Sequence, residues 1–177
     1  KDKAYWPVYE QVRMAYEPDA PAPSSGVGVL AGSPDSKAWI TQDGIALDPL
    51  TWPFPKRRQI PQSAGARPVT SFYSQVVEAG PYLFVAGQIP IDTAKPGNPL
   101  IRNFDDVPEE GRFLQVGRSH TDSDIGPIAA QTWFVYDNIR RILEGVGSEM
   151  SEIVNQTSLD VGAVFMADKP GYRNVTL

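Results

Sequence analysis

Residues 73–92 read YSQVVEAGPYLFVAGQIPID. Two apolar runs flank a break at Ala79-Gly80-Pro81. Residues 73–78 form the first run and residues 82–86 the second, and both are rich in aromatic and β-branched side chains. Such runs around a Gly-Pro break predict two strands joined by a turn. Gly87 follows the second run and lacks a Cβ, so a ligand or another backbone can approach it closely. Pro90 bars the strand from continuing as a central one.

Composition narrows the function classes. The 177 residues carry a net charge of −5, with a sequence pI near 4.9. A nucleic-acid surface needs clustered Lys and Arg to neutralise phosphates, so this balance argues against one. The basic run Lys56-Arg57-Arg58 is short, lies among prolines and reads as a solvated linker. The chain has no cysteine, which excludes disulfides, thiolate nucleophiles and Cys-bound zinc. Its single histidine, His120, sits in a polar, irregular stretch, and a self-contained Ser-His-Asp triad would have to use it. No apolar run approaches membrane-spanning length. The lack of cysteine fits a cytoplasmic setting. In such a setting the sequons at Asn155 and Asn174 are chance matches.

Residues 5–16 predict a helix, with Pro7 in its first turn and Val8, Val12 and Ala15 as its apolar stripe. Prolines 18, 21 and 23 end it. Residues 26–31 and 38–46 predict strands on either side of the turn at 33–36. Residues 48–69 hold five prolines and no periodicity, the pattern of a semi-extended linker. Trp52 and Phe54 are expected to pin that linker to a surface. Residues 93–124 form a long polar insertion, read as a solvated loop, with metal binding by Asp105, Asp106, Glu109, Glu110 or His120 the lesser alternative. The best helix spans residues 127–143, with Asp124 at its start and Pro127 in its first turn. Ile128, Thr132, Val135, Ile139, Ile142 and Val146 would be its buried face. A further strand is expected within residues 157–165.

The stretch at 73–90 also resembles the first hairpin of the RidA/YjgF family, whose members were once described as endoribonuclease L-PSP. Tyr73-Ser74-Gln75, Gly80, the strand Leu83-Phe84-Val85 and Ala86-Gly87-Gln88-Ile89-Pro90 carry the likeness. Gln131-Thr132, Asn138-Ile139, Ile142-Leu143 and Gly147 are similar to the family's following helix. More loosely, residues 9–16, 22–25, 27–30 and 43–46 resemble the elements that close the family's domain. The chain is therefore expected to run out of family order. Residues 1–47 would be the C-terminal half of a RidA-like unit, 48–69 a linker, and 70–177 an N-terminal half carrying the insertion. Residues 168–172 resemble the opening 2–5, so the chain is expected to begin and end near one place in the family order, as either a piece of a tandem two-unit protein or a single permuted domain would. The piece is the preferred expectation, because the chain opens on Lys1 and stops beside what reads as a helix start.

The resemblance implies an α+β fold: a mixed β-sheet with helices packed on one face, in the RidA/chorismate-mutase-like style, assembled as a trimer or pseudo-trimer. It implies sites between subunits and a hydrolase acting on small imines or enamines without cofactor or metal. Carried over by position, Tyr73 and Gly87 match the family. Asp43 aligns with its acid and is one carbon shorter. Ala86 replaces the usual serine, and Ser24 stands where an arginine would hold a substrate carboxylate. Asp43 and Tyr73 are thus the candidate catalytic residues, and Ser24, Ala86 and Gly87 the candidate substrate-binding ones. Serine has no positive charge for a carboxylate. An atypical deaminase of C–N compounds is the leading expectation. A non-catalytic metabolite binder and an accessory module of a larger enzyme, as in fungal diphthamide-synthesis ligases, stand beside it. Ribonuclease activity is disfavoured by the charge. Arg67, Arg102, Arg112 and Arg118 could each replace the missing cation, and the sequence selects none of them. Neither nucleic acid nor a membrane is expected as a partner.

Overall fold

The computed structural model describes residues 6–19, 21–25, 44–55 and 57–157. Helix α1 spans Trp6–Tyr16. Strands β1 (Arg58–Ile60), β2 (Val76–Ala79) and β3 (Tyr82–Val85) form an antiparallel sheet in that order. Helix α2 spans Ser119–Glu144. The described part is thus α+β. The expected mixed sheet is corrected to a wholly antiparallel one among the described strands, because each strand follows its neighbour by a direct return rather than a crossover.

The hairpin forms as its sequence demands. Ala79 pairs with Tyr82, so Gly80-Pro81 is a two-residue turn. Gly80 has φ +56°, a conformation open to glycine at little cost. A Cβ there would also lie 2.7 Å from the Trp52 and Phe54 rings. These two rings meet edge-on at 5.1 Å and fasten the preceding segment to the turn. That segment is more than a linker, since its residues 58–60 pair with β2 in the register Arg58↔Glu78 and Ile60↔Val76. Arg58 and Glu78 bond across the pair at 2.6 Å.

Helix α1 lies where expected, with a different face inward. Val8 and Val12 are 57% and 54% exposed. Glu10 instead bonds the Ser71 hydroxyl and the Phe72 N–H, and Arg13 donates to the Ala22 carbonyl at 2.6 Å. The helix is held by polar contacts, to the approach of β2 and to the chain that follows it. The apolar spacing did not select its inner side.

The largest correction concerns the insertion and α2. Ile101, Phe104 and Val107 are buried with Ala130 and Phe134 in one apolar cluster. Every third residue of 101–107 therefore belongs to the core rather than to the expected solvated loop, while Arg102, Asn103 and Asp105 stay exposed. This spacing of three suits the 3-10 turn at Phe104–Asp106. Asn103 and Asp106 close that turn by a reciprocal capping box. Helix α2 starts eight residues before Pro127, which lies inside it. Asp124 does not cap it. Asp122 instead accepts from the N–H groups of Val116 and Gly117 at 2.9 and 3.0 Å, tying the insertion to the first turn. The buried face is also rotated. Ile128 is 55% exposed, while Ala130, Phe134, Asp137, Asn138, Ile142 and Leu143 point inward.

The expected strands at 26–31 and within 157–165 fall outside the described residues, apart from Thr157, which is not in a strand. So does most of the one at 38–46, whose residues 44–46 are irregular.

Candidate functional site

The two segments expected to share a pocket meet at the end of β3. The strand's last backbone bond runs from the Ala86 N–H to the Gln75 carbonyl, at 2.9 Å. One residue on, the Gly87 N–H donates to the Ser24 carbonyl at 3.2 Å. A Cβ at Gly87 would lie 2.8 Å from the Ser25 Cβ and 3.2 Å from its Cα. The approach is therefore close enough to require glycine. The Ala86 methyl is buried. Tyr73 lies two residues before Gln75 and is partly buried, and burial raises its phenol pKa above the ordinary value. Ser24, Ala86 and Gly87 are thus brought together. Asp43 lies outside the described residues.

Behind this strand end is a polar network that sequence reasoning missed. Gln75 is buried in β2's approach, where its Oε1 accepts from the Ser63 N–H at 2.7 Å and its Nε2 donates to the Arg67 carbonyl at 3.1 Å. Ser63 Oγ in turn donates to the Ile142 carbonyl near the end of α2, at 2.7 Å. The loop between β1 and β2 is therefore latched on both sides, and it places the Arg67 guanidinium 3.9 Å from the Phe134 ring centroid. Arg67 also reaches Asp137 Oδ2 and Asn138 Oδ1, both at 3.0 Å. Of the four arginines considered as a replacement cation, Arg67 is already committed to this ion pair. Arg112 binds the Val107 carbonyl at 2.9 Å.

Asp137 is the centre of charge. Burial pushes its carboxyl up, but hydrogen bonds from Arg141 and Arg140, the Arg141 charge and the bond from Arg67 outweigh that. Its pKa ends below the ordinary carboxylate value. Asp137 and Asn138 lie outside the apolar stripe read from the sequence, and it is their burial that calls for partners.

His120 is 93% exposed on α2's first turn, 3.6 Å from Asp124, so no triad forms around it. Among the described residues no group of three His, Asp or Glu could hold a metal. Two surface depressions lie along the insertion. One of about 620 Å³ is lined by Glu109, Arg112, Phe113 and Gln115. The other, of about 390 Å³, includes Glu110, Trp133, Tyr136 and Arg140. Ser24, Tyr73, Ala86 and Gly87 line neither of them.

No protein-family model matches the chain. Curated relatives do. A RutC family protein of Pyrococcus abyssi is 34% identical over 85 residues, covering 48% of this chain and 47% of the relative. Another from Pyrococcus horikoshii is 33% identical over 85 residues, covering 48% of each. Over its matched 85 residues the chain is similar to RutC family proteins. That family lies within the RidA/YjgF superfamily, as the hairpin and helix motifs imply. The chain spans about half the length of the RutC family proteins it matches. A solved Klebsiella pneumoniae structure, described as a candidate endoribonuclease, is 38% identical and covers 45% of this chain and 58% of its own, with a TM-score of 0.41.

Proposed function

We propose that this chain contributes to a RidA-type hydrolase acting on a small imine, enamine or related C–N compound, with a substrate choice altered by Ser24. The observation that supports it is the Gly87–Ser24 contact, which joins two sequence-distant motif segments at one strand end. In the proposed reaction water adds to the C=N carbon, the nitrogen takes up protons, and ammonia leaves, with no change of oxidation state. In this reading Tyr73 borders the pocket, Gly87 holds residues 24–25 at the strand end through its N–H, and the family resemblance assigns Asp43 the role of the acid. A serine in place of arginine favours a substrate without a carboxylate to be gripped by a bidentate fork. The pocket is completed between subunits of a trimer or pseudo-trimer.

The test is ammonia release by the purified protein from imines made in situ by an amino-acid oxidase, compared with neutral imines lacking a carboxylate. Turnover of the neutral imine that falls in Ser24→Ala supports the reading. Family-like rates on 2-aminoacrylate, unchanged in Ser24→Ala, would remove Ser24 from the site. Absence of turnover in the folded, assembled protein would favour the second reading, a non-catalytic metabolite binder. The buried Ala86 methyl, where a hydroxyl is usual in the resemblance, is the observation on that side.

A further inference from the structure

We propose that Arg67 acts on the candidate pocket from a distance, through a one-way chain of hydrogen bonds in which Asn138 and Gln88 are positioning residues. The inference rests on the pocket reading above. Arg67 Nη1 donates to Asn138 Oδ1 at 3.0 Å. Asn138 Nδ2 donates to Gln88 Oε1 at 2.6 Å. Gln88 Nε2 donates to the Ala86 carbonyl at 2.8 Å. That carbonyl belongs to the same planar peptide unit as the Gly87 N–H, which donates to the Ser24 carbonyl at 3.2 Å. Every donor points the same way, from the guanidinium to Ser24.

Chemistry fixes the direction. A guanidinium can only donate, so the oxygen of Asn138 must face Arg67 and its amide nitrogen must face Gln88. Gln88 then has to accept from Asn138 and donate to Ala86. Arg67 cannot turn away, because Asp137 holds it at 3.0 Å, Asp92 lies 3.7 Å from its Nε, and the Phe134 ring lies beneath it. Hydrogen bonds in series polarise one another. A strong bond to the Ala86 oxygen draws charge through the peptide and makes the Gly87 N–H a better donor. The wall formed by residues 24–25 is thereby held against the strand end by a cation on the far side of Asn138. Gln88 also occupies the Ala86 carbonyl, so both polar groups of this peptide are engaged, the carbonyl by Gln88 and the N–H by Ser24.

A purely space-filling role for Asn138 and Gln88 makes a different prediction, and near-isosteric changes separate the two. Asn138→Asp still accepts from Arg67 but cannot donate to Gln88. Gln88→Glu still accepts from Asn138 but, as a carboxylate, cannot donate to Ala86. The experiment follows the Gly87 amide of the full chain, 15N-labelled and without substrate, by NMR. In the unmodified protein the Gly87 proton should be shifted downfield and protected from exchange. In both variants it should move upfield and exchange about tenfold faster, the effect of one weakened hydrogen bond. A Gly87 amide that is already unprotected in the unmodified protein overturns the relay without any variant. An amide unmoved in folded Asn138→Asp and Gln88→Glu overturns it as well. Because no ligand is used, an amide that responds in a protein lacking turnover would uphold the relay while the hydrolase reading fails.

Discussion

At Gly87 a single methyl decides whether the two motif segments can touch. An alanine there would meet the Ser25 backbone at 3.2 Å and its Cβ at 2.8 Å, so residues 24–25 must shift. Gly87→Ala should cost about 1–3 kcal/mol, the range for added methyls in tight packing, and abolish ligand binding or turnover at the pocket. Thermal unfolding and the imine assay measure the two effects separately. Ser24→Ala should behave differently. The observed contact uses the Ser24 carbonyl, which alanine keeps, so its stability should change by less than about 0.5 kcal/mol. A large destabilisation would show that the hydroxyl carries the contact. Tyr73 adds a pH signature, because burial raises its phenol above the ordinary 10.0. A group whose folded pKa is raised stabilises fully below its unfolded value, and that contribution is lost as pH rises through the folded value. Chemical unfolding of the unmodified protein should therefore lose stability above pH 10, and Tyr73→Phe should remove that part of the slope. Identical slopes in the two proteins would place Tyr73 in water.

Helix α2 carries two loads, one on each side. Toward the insertion it packs Ala130 and Phe134 on Ile101, Phe104 and Val107. Truncating Ile101 or Phe134 to alanine should cost about 2–5 kcal/mol, measurable by urea denaturation. A loss under 1 kcal/mol would mean the insertion is dispensable. Toward the loop between β1 and β2, α2 presents Asp137, and Asp137→Ala should cost about 1–3 kcal/mol by removing the nearer of Arg67's two carboxylates and leaving Asp92, at 3.7 Å, as its remaining counter-charge. The pH dependence has the opposite sense to that of Tyr73. A carboxylate whose folded pKa is depressed stabilises fully above its unfolded value, near 3.8, and loses that contribution as pH falls through the lowered one. Acid unfolding monitored below pH 4 should thus be shallower in Asp137→Asn. That α2 exists was legible from spacing and from the Gln131-Thr132 to Gly147 pattern. Its inner face was not, because the residues that turn Asp137 inward are an arginine 70 positions away and two of its own helix. Hydrophobic periodicity cannot register a face selected by ion pairing. Strand β1 was hidden for another reason. Only three residues long, it lies among prolines and gains order from the register of β2, which no local signal encodes.

Across the whole molecule, local punctuation made the hairpin legible and long-range polar contacts made the site illegible. Gly80-Pro81 and Gly87 could be read singly. The junction of Ser24 with Gly87 was reachable only through the family resemblance, and the Arg67 relay joins residues from four separate segments. The same scale raises the question of assembly. Strands β1 and β3 are both edges of the described sheet, and three strands is close to the least that holds together. Tyr82 on β3 and Ile89 beyond it are more than half exposed. An apolar edge strand with no further described strand beside it invites another strand or another chain. If the proposed pocket is completed between subunits, the protein should sediment as a multiple of its 19.4 kDa chain mass. Tyr82→Lys, a charge on the edge, should then shift it toward the single-chain mass and reduce turnover in parallel. A monomer at every concentration that still hydrolyses imines would place the whole site within one chain. A multimer unmoved by Tyr82→Lys would place the contact away from β3, with the insertion's exposed Phe113 and Leu114 the next surface to substitute.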